Sequence, residues 1–315
     1  MEKAAHRRFD RLMPGRRAAS VLPAEREGMT WIPGGSFLMG SNAFYREERP
    51  ARPATVGAFW MDIAPVTNAQ FSRFVADTGY VTFAEKTPTR DMYPDASPDC
   101  LVPGSLVFVK PEAPVGLRDP RAWWTYMPGA NWRHPYGPGS SVAHKNDHPV
   151  VHVAYEDARA YAAWTGKELP TEAEWEFAAR GGLDGAAYPW GDAAHPEGLF
   201  LANTWQGRFP YENLAEDGYE DTSPAGAFPA NGYGLYDVVG NVWEWTASPF
   251  GRASAEKSCC QPAQAHMPDA LMVVKGGSHL CAPNYCLRFR PAARQGESVD
   301  TSTCHIGFRC ISRET

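Results

Sequence analysis

No stretch of 18 apolar residues occurs in this 315-residue chain, so nothing in it reads as a transmembrane helix. Charged residues are scarce at 21%, too few for a coiled coil or a helical bundle with a salt-bridged surface. Basic charge is not in excess: 30 Lys and Arg against 36 Asp and Glu give a net charge of −6, which offers no general affinity for nucleic acid. Repeats and low-complexity tracts are missing as well. Cysteine is nearly absent from the first 258 positions, where Cys100 stands alone; Cys259, Cys260, Cys281, Cys286, Cys304 and Cys310 follow. An odd number of cysteines, unevenly spread, does not suit a secreted protein stapled by disulfides. The basic N-terminus (Lys3, Arg7, Arg8, Arg11, Arg16 and Arg17) is followed by no apolar run of 7–15 residues, so it does not read as a secretory signal. Residues 1–27 are expected to form a flexible extension, and the thiols to lie free in a reducing, cytoplasmic compartment.

Turn formers and aromatics are what the chain has in abundance. It holds 29 Gly and 28 Pro, well above the average share of roughly 12%. Its 11 Trp, 13 Tyr and 15 Phe are spread throughout, which argues against disorder. Length alone suggests about two domains. No interdomain linker is found, however, and one domain over residues 28–315 is the better reading. Met29–Gly40 reads as two short strands joined by a Pro-Gly-Gly turn, and Ala54–Asp62 as another strand. Thr67 and Gln70 form a capping box for a helix ending before Gly79. Glu156–Trp164 reads as a second helix ending at Gly166. Thr171 and Glu174 start a third, which Gly181 closes. Leu271–Lys275 and Ile306–Arg309 read as closing strands. Residues 86–146, rich in Pro, Gly and Trp, read as packed surface loops.

The sharpest candidate for chemistry is Gly276-Gly277-Ser278-His279-Leu280-Cys281, with Cys286 and Arg288-Phe289-Arg290 following. Three chemistries suit two cysteines five apart: a redox disulfide, half of a zinc site, or a soft monovalent metal such as copper(I). A purely structural role competes with all three. His144-x3-His148-x3-His152 has helical ligand spacing, but Pro149 breaks the helix; His279, next to Cys281, would bias a thiolate or guide a substrate, and reads equally well as a surface residue. Cys259-Cys260 is too tight for an ordinary disulfide, and Cys304 and Cys310 read as packing residues. Oxygen donors for a hard cation recur at Asn203-Thr204 with Asp217-Gly218-Tyr219, and at Asp237-x-x-Gly240-x-x-x-Glu244. These spacings are not those of an EF-hand, and Asx-turns explain them equally well.

In these residues the chain resembles the formylglycine-generating enzymes, or sulfatase-modifying factors, of bacterial type. The likeness runs from Gly28 to Cys310. It is carried by Ile32-Pro33-Gly34-Gly35-Ser36-Phe37-Leu38-Met39-Gly40, Leu169-Pro170-Thr171-Glu172-Ala173-Glu174-Trp175-Glu176, Asn231-Gly232-Tyr233-Gly234-Leu235-Tyr236-Asp237, Gly240-Asn241-Val242-Trp243-Glu244-Trp245 and Gly307-Phe308-Arg309-Cys310. The resemblance implies a mixed α/β (α+β) fold of the formylglycine-generating-enzyme and C-type-lectin-like superfamily: one compact domain of complex topology with little regular structure. It implies oxidation by molecular oxygen of a cysteine in a sulfatase polypeptide, in a Cys-x-Pro-x-Arg context, to Cα-formylglycine, with an external thiol as reductant. Cys281 and Cys286 would hold copper(I), Ser278 would lie near oxygen or substrate, and Trp243 would wall the site. Calcium would bind Asn203, Thr204, Asp217 and Tyr219, and a second calcium Asp237, Gly240, Val242 and Glu244. No nucleic acid or membrane partner is implied. Secreted animal relatives pair cysteines at positions that read Ala162, Ala178 and Pro291 here, so that disulfide pattern is lost. Two other members of the superfamily stand as alternatives: an iron-dependent sulfoxide synthase, and a non-catalytic peptide- or protein-binding relative.

Overall fold

Among the described residues, short strands and three α-helices, none longer than 11 residues, are tied together by turns. The structure, a computed structural model, describes residues 26–251 and 270–313. The N-terminal basic residues, Cys259 and Cys260 lie outside the described residues.

Strand β1 (Met29–Ile32) is followed by β2 (Gly35–Met39), β3 (Arg52–Val56), β4 (Phe59–Asp62) and helix α1 (Asn68–Thr78). The two strands read from Met29–Gly40 are present but do not pair with each other. β1 pairs with β4 and β2 with β3, both antiparallel. The expected single strand Ala54–Asp62 is two strands, split at Gly57. The reason is tertiary: Gly34, in the left-handed region at φ 70°, approaches the Gly57 backbone so closely that a Cβ there would sit 2.6 Å from its carbonyl carbon. The two turns cross, and neither strand can run through.

Helix α1 starts as its capping box dictates, with Thr67 N–H donating to Gln70 Oε1 at 2.9 Å, and ends at Gly79 in the left-handed conformation. Phe71, Phe74 and Val75 bury its inner face. The region 86–146 is not all loop: β5 (Gly104–Phe108) and β6 (Trp124–Pro128) form an antiparallel hairpin within it. Helix α2 (Tyr155–Trp164) follows, and then α3 (Glu172–Ala179), where Thr171 N–H donates to Glu174 Oε2 at 2.8 Å.

The C-terminal part supplies β7 (Trp243–Pro249), β8 (Leu271–Lys275), β9 (Arg294–Ser298), β10 (Ile306–Gly307) and β11 (Ile311–Ser312). A four-stranded sheet has the order β10-β7-β8-β9, in which β10 is parallel to β7, and β11 joins β4 and β1 in a three-stranded sheet. The expected strand Ile306–Arg309 is therefore shortened to two residues. Arg309 turns out of the ladder into a buried ion pair with Glu244, its Nε 2.7 Å from Oε2. The same carboxylate accepts Trp175 Nε1 at 2.7 Å, so α3, β7 and the C-terminus meet at one buried charge.

The principal core gathers Phe71, Tyr161, Trp243, Trp245 and Phe308, and it includes both Cys281 and Cys286. A smaller aromatic cluster of Trp123, Trp205, Phe209 and Leu280 packs beside them. The molecule is thus a single α+β domain, richer in strands than in helices, with its cysteine loop built into the core.

Candidate active site

Strand β8 ends at Gly276 and Gly277, with φ of 92° and 75°. Both lie in the left-handed region that disfavours side chains. A Cβ on Gly277 would stand 2.8 Å from the Arg288 carbonyl oxygen, so the start and end of the loop touch across this glycine. The loop is then fixed by its backbone: Cys281 N–H donates to the Ser278 carbonyl at 2.9 Å, Cys286 N–H to the Ala282 carbonyl at 2.7 Å, and Trp205 N–H to the Cys281 carbonyl at 3.0 Å.

These bonds bring the two thiols to an Sγ–Sγ distance of 3.2 Å. That is a hydrogen bond, far longer than the roughly 2.05 Å of a disulfide. Both cysteines are buried, at 2% and 8% exposure. Their acidities diverge. The bond from Cys281 and the nearby Arg288 guanidinium draw the Cys286 thiol down to about 7, whereas burial and the neighbouring sulfur push Cys281 well up. Cys286 is the first of the pair to become a thiolate.

The pair opens on a cavity of about 100 Å³ walled by Trp243, Ser278, Arg288 and His305, with Trp124 and Tyr285 at its rim. Ser278 is fully buried, and its Oγ accepts Leu280 N–H at 3.2 Å. Trp243 belongs to the core and also lines this cavity; its backbone N–H donates to the His305 carbonyl at 2.9 Å. The structure thus gathers all four residues expected at the reaction centre: Ser278, Cys281, Cys286 and Trp243.

The three histidines at helical spacing, already disfavoured by Pro149, do not gather. His144 is exposed, His148 Nδ1 lies 3.0 Å from Thr222 Oγ1, and His152 is wholly buried between Ser105 and Pro135. Among the described residues, no three His, Cys, Asp or Glu side chains are grouped as a metal site. His279 is not the surface residue it resembled. It is buried, with Nδ1 donating to the Asn241 carbonyl at 2.9 Å, and it is not part of the cavity wall. Cys304 is buried and its thiol is pushed up to about 12; Cys310 is also buried, and Cys100 is half-buried.

The oxygen donors present two arrangements. Thr204 N–H donates to Asp217 Oδ2 at 3.0 Å, which brings the Asn203 and Asp217 loops together. Asn203 Oδ1 is buried there without a hydrogen-bond partner, an acceptor that a hard cation would satisfy. Asp237 is buried, and burial holds its carboxyl up to about 6, with Glu244 adding to the rise. Glu244 already accepts from Arg309 and Trp175, but carboxylate oxygens keep lone pairs for a further partner.

Sequence reasoning missed His305 and the aromatic rim. His305 lines the cavity, and its Nδ1 lies 2.7 Å from Thr303 Oγ1. Burial holds this imidazole neutral, down to about 3. The Trp123-Trp124 pair inside a Gly- and Pro-rich stretch was the available signal for the rim; nothing marked His305.

The sulfatase-modifying factor enzyme 1-like domain matches residues 17–314 of the chain. The formylglycine-generating enzyme of Mycobacterium tuberculosis is 55% identical over 288 residues, covering 89% of this chain and 96% of the relative. That of Thermomonospora curvata is 47% identical, covering 91% and 93%. Among solved structures, PvdO from Pseudomonas aeruginosa superposes with a TM-score of 0.59 at 26% identity, covering 91% of this chain and 94% of that one.

Proposed function

The chain belongs to the sulfatase-modifying factor enzyme 1-like family, and from that premise we propose that it oxidises a cysteine in a sulfatase polypeptide to Cα-formylglycine. The observation that carries this reading is the pair of buried thiols 3.2 Å apart on the wall of a cavity large enough for a substrate side chain. The overall change consumes one oxygen molecule. The substrate CH2–SH becomes an aldehyde, sulfur leaves as hydrogen sulfide, and one oxygen atom leaves as water. Two electrons and two protons come from an external thiol pair, which ends as a disulfide.

Two soft, closely spaced sulfurs suit copper(I), and Cys281 and Cys286 are the residues that would hold it. Bound copper would supply the redox chemistry toward oxygen that amino-acid side chains lack. The remaining work belongs to the chain. The readily ionised Cys286 and the more basic Cys281 provide the sulfur donors. The Ser278 hydroxyl hydrogen-bonds within the cavity, and Trp243 keeps water from its inner wall. Tyr285 and Trp124 offer apolar surface to an extended peptide, which suits the proline of a Cys-x-Pro-x-Arg segment. Calcium is proposed at Asn203, Thr204, Asp217 and Tyr219, where the orphaned Asn203 oxygen supports it, and at Asp237, Gly240, Val242 and Glu244, where two buried carboxyl groups do. Free thiols among the described cysteines support a reducing, cytoplasmic setting. No helix of the described residues is long and apolar enough to cross a membrane.

The test is aldehyde formation from a Cys-x-Pro-x-Arg peptide by the copper(I)-loaded protein with oxygen and a thiol reductant. Cys281→Ala and Cys286→Ala should each abolish product. Product formed at the normal rate by both variants would refute the proposal, and histidine-bound iron in the purified protein would favour a sulfoxide synthase.

A further inference from the structure

The segment Phe44–Glu48, between β2 and β3, is strapped onto residues 287–290 by two arginines that behave differently. Arg290 forms a closed pair: it and Glu48 are both fully buried at the side chain, with Nη1 2.9 Å from Oε2. Arg288 is held by a carboxylate and an aromatic ring and turns its remaining side to the cysteine pair. Its Nη2 lies 2.6 Å from Glu47 Oε1, and its guanidinium carbon sits 4.0 Å from the centroid of the Tyr45 ring. The Tyr45 hydroxyl in turn accepts Leu287 N–H at 2.9 Å, which fixes the ring beneath the cation. Toward the cysteines Nη1 stands 3.8 Å from Cys286 Sγ, and Nε is buried without a partner. Arg288 is also the one cationic residue among those lining the cavity of the cysteine pair.

Two thiolates around a monovalent cation carry a net charge of −1. In a buried site that charge is costly unless a counter-charge is already in place. We infer that Arg288, braced by Glu47 and Tyr45, is a positioning residue that supplies this counter-charge and thereby sets how tightly the cysteine pair holds a soft monovalent metal. The inference rests on the copper reading above. A lysine at this position would keep the charge but lose the planar fork that reaches Glu47 and the sulfur together.

The test is anaerobic competition for copper(I) between the full-length protein and bathocuproine disulfonate, read by the absorbance of the chelator complex. Thermal unfolding of each variant is recorded alongside. Arg288→Gln should weaken copper(I) binding on the order of 10- to 100-fold, the size expected for removing a unit charge near contact distance in a partly screened site. Arg288→Lys should recover most of that loss, which a purely structural role would not predict. Tyr45→Ala loosens the guanidinium without deleting it and should weaken binding several-fold; it decides the matter if Arg288→Gln does not fold. Unchanged affinity in a folded Arg288→Gln, or in Tyr45→Ala where that variant decides, overturns the inference while leaving the copper reading standing. Failure of the unmodified protein to compete for copper(I) overturns the copper reading and the inference together.

Discussion

His152 carries a test of the fold that is quantitative and independent of any metal. Its ring is entirely buried, and its backbone sits in the left-handed region at φ 59°. Nε2 lies 2.8 Å from the Pro135 carbonyl and Nδ1 2.7 Å from Ser105 Oγ. Nε2–H donates to the Pro135 carbonyl, while the Ser105 hydroxyl beside Nδ1 donates to the Ser302 carbonyl at 2.7 Å. Burial holds the folded-state pKa down to about 4, against 6.5 for an exposed histidine. Between those two values the unfolded chain binds the proton and the folded chain does not, so stability is complete above pH 6.5 and is lost as pH falls toward 4. The gap of about 2.5 pH units sets a ceiling near 3.4 kcal/mol, of which about 2 kcal/mol is lost by pH 5. The perturbation is His152→Asn, since asparagine tolerates this backbone conformation and does not titrate. The assay is urea unfolding at pH 7.5 and pH 5 in the presence of reductant. The variant will be less stable at pH 7.5, but its further loss on acidification should be smaller than that of the unmodified protein by about 2 kcal/mol. Equal losses in the two proteins would show that this imidazole is not held neutral by burial.

Three further outcomes follow from the site. Gly277→Ala places a methyl group 2.8 Å from the Arg288 carbonyl at a φ of 75°; it should cost about 2–4 kcal/mol in urea unfolding and abolish aldehyde formation, and a stable, active variant would contradict the proposed loop geometry. Calcium at 100 times its dissociation constant should add about 2.7 kcal/mol per site, raising the unfolding midpoint by several degrees. Asn203→Leu, which removes the orphaned oxygen, should reduce that gain, and an undiminished calcium effect would exclude the first site. His305→Ala removes an imidazole that lines the cavity. It should raise the dissociation constant of a Ser-x-Pro-x-Arg peptide by roughly 5- to 10-fold, the worth of one hydrogen bond, whereas His305→Asn should lie nearer the original value. Equal affinity in all three proteins would remove His305 from peptide binding.

The local signals in the sequence were reliable wherever a few neighbouring residues determine the outcome. Thr67 with Gln70, and Thr171 with Glu174, started their helices because each capping box is closed within four residues. Gly79 stopped α1 because its left-handed backbone favours glycine. Leu271–Lys275 kept its bounds, and the two cysteines five apart lie together in one loop. Contacts between distant segments escaped that reading. The division of Ala54–Asp62 follows from Gly34 meeting Gly57, and the shortening of Ile306–Arg309 from the demand of a buried Glu244 for a cation 65 residues away. Pro149 had already argued against a helical His144-His148-His152 metal site, and the three side chains do not meet.

The same division runs through the candidate site. By itself the sequence determined that two cysteines five apart share a glycine-led loop beside a serine, since those relations are covalent and short-range. Only the tertiary structure decided that their sulfurs stand 3.2 Å apart, that the thiol of Cys286 is the more acidic, and that Arg288 and His305 line their cavity with Tyr45 packed on the arginine. Burial and charge at this site are set by segments up to 242 residues distant in the chain, such as the one that brings Tyr45 to Leu287. Short-range pattern carries no information about such meetings, because they are fixed by how the strands and loops pack into one core.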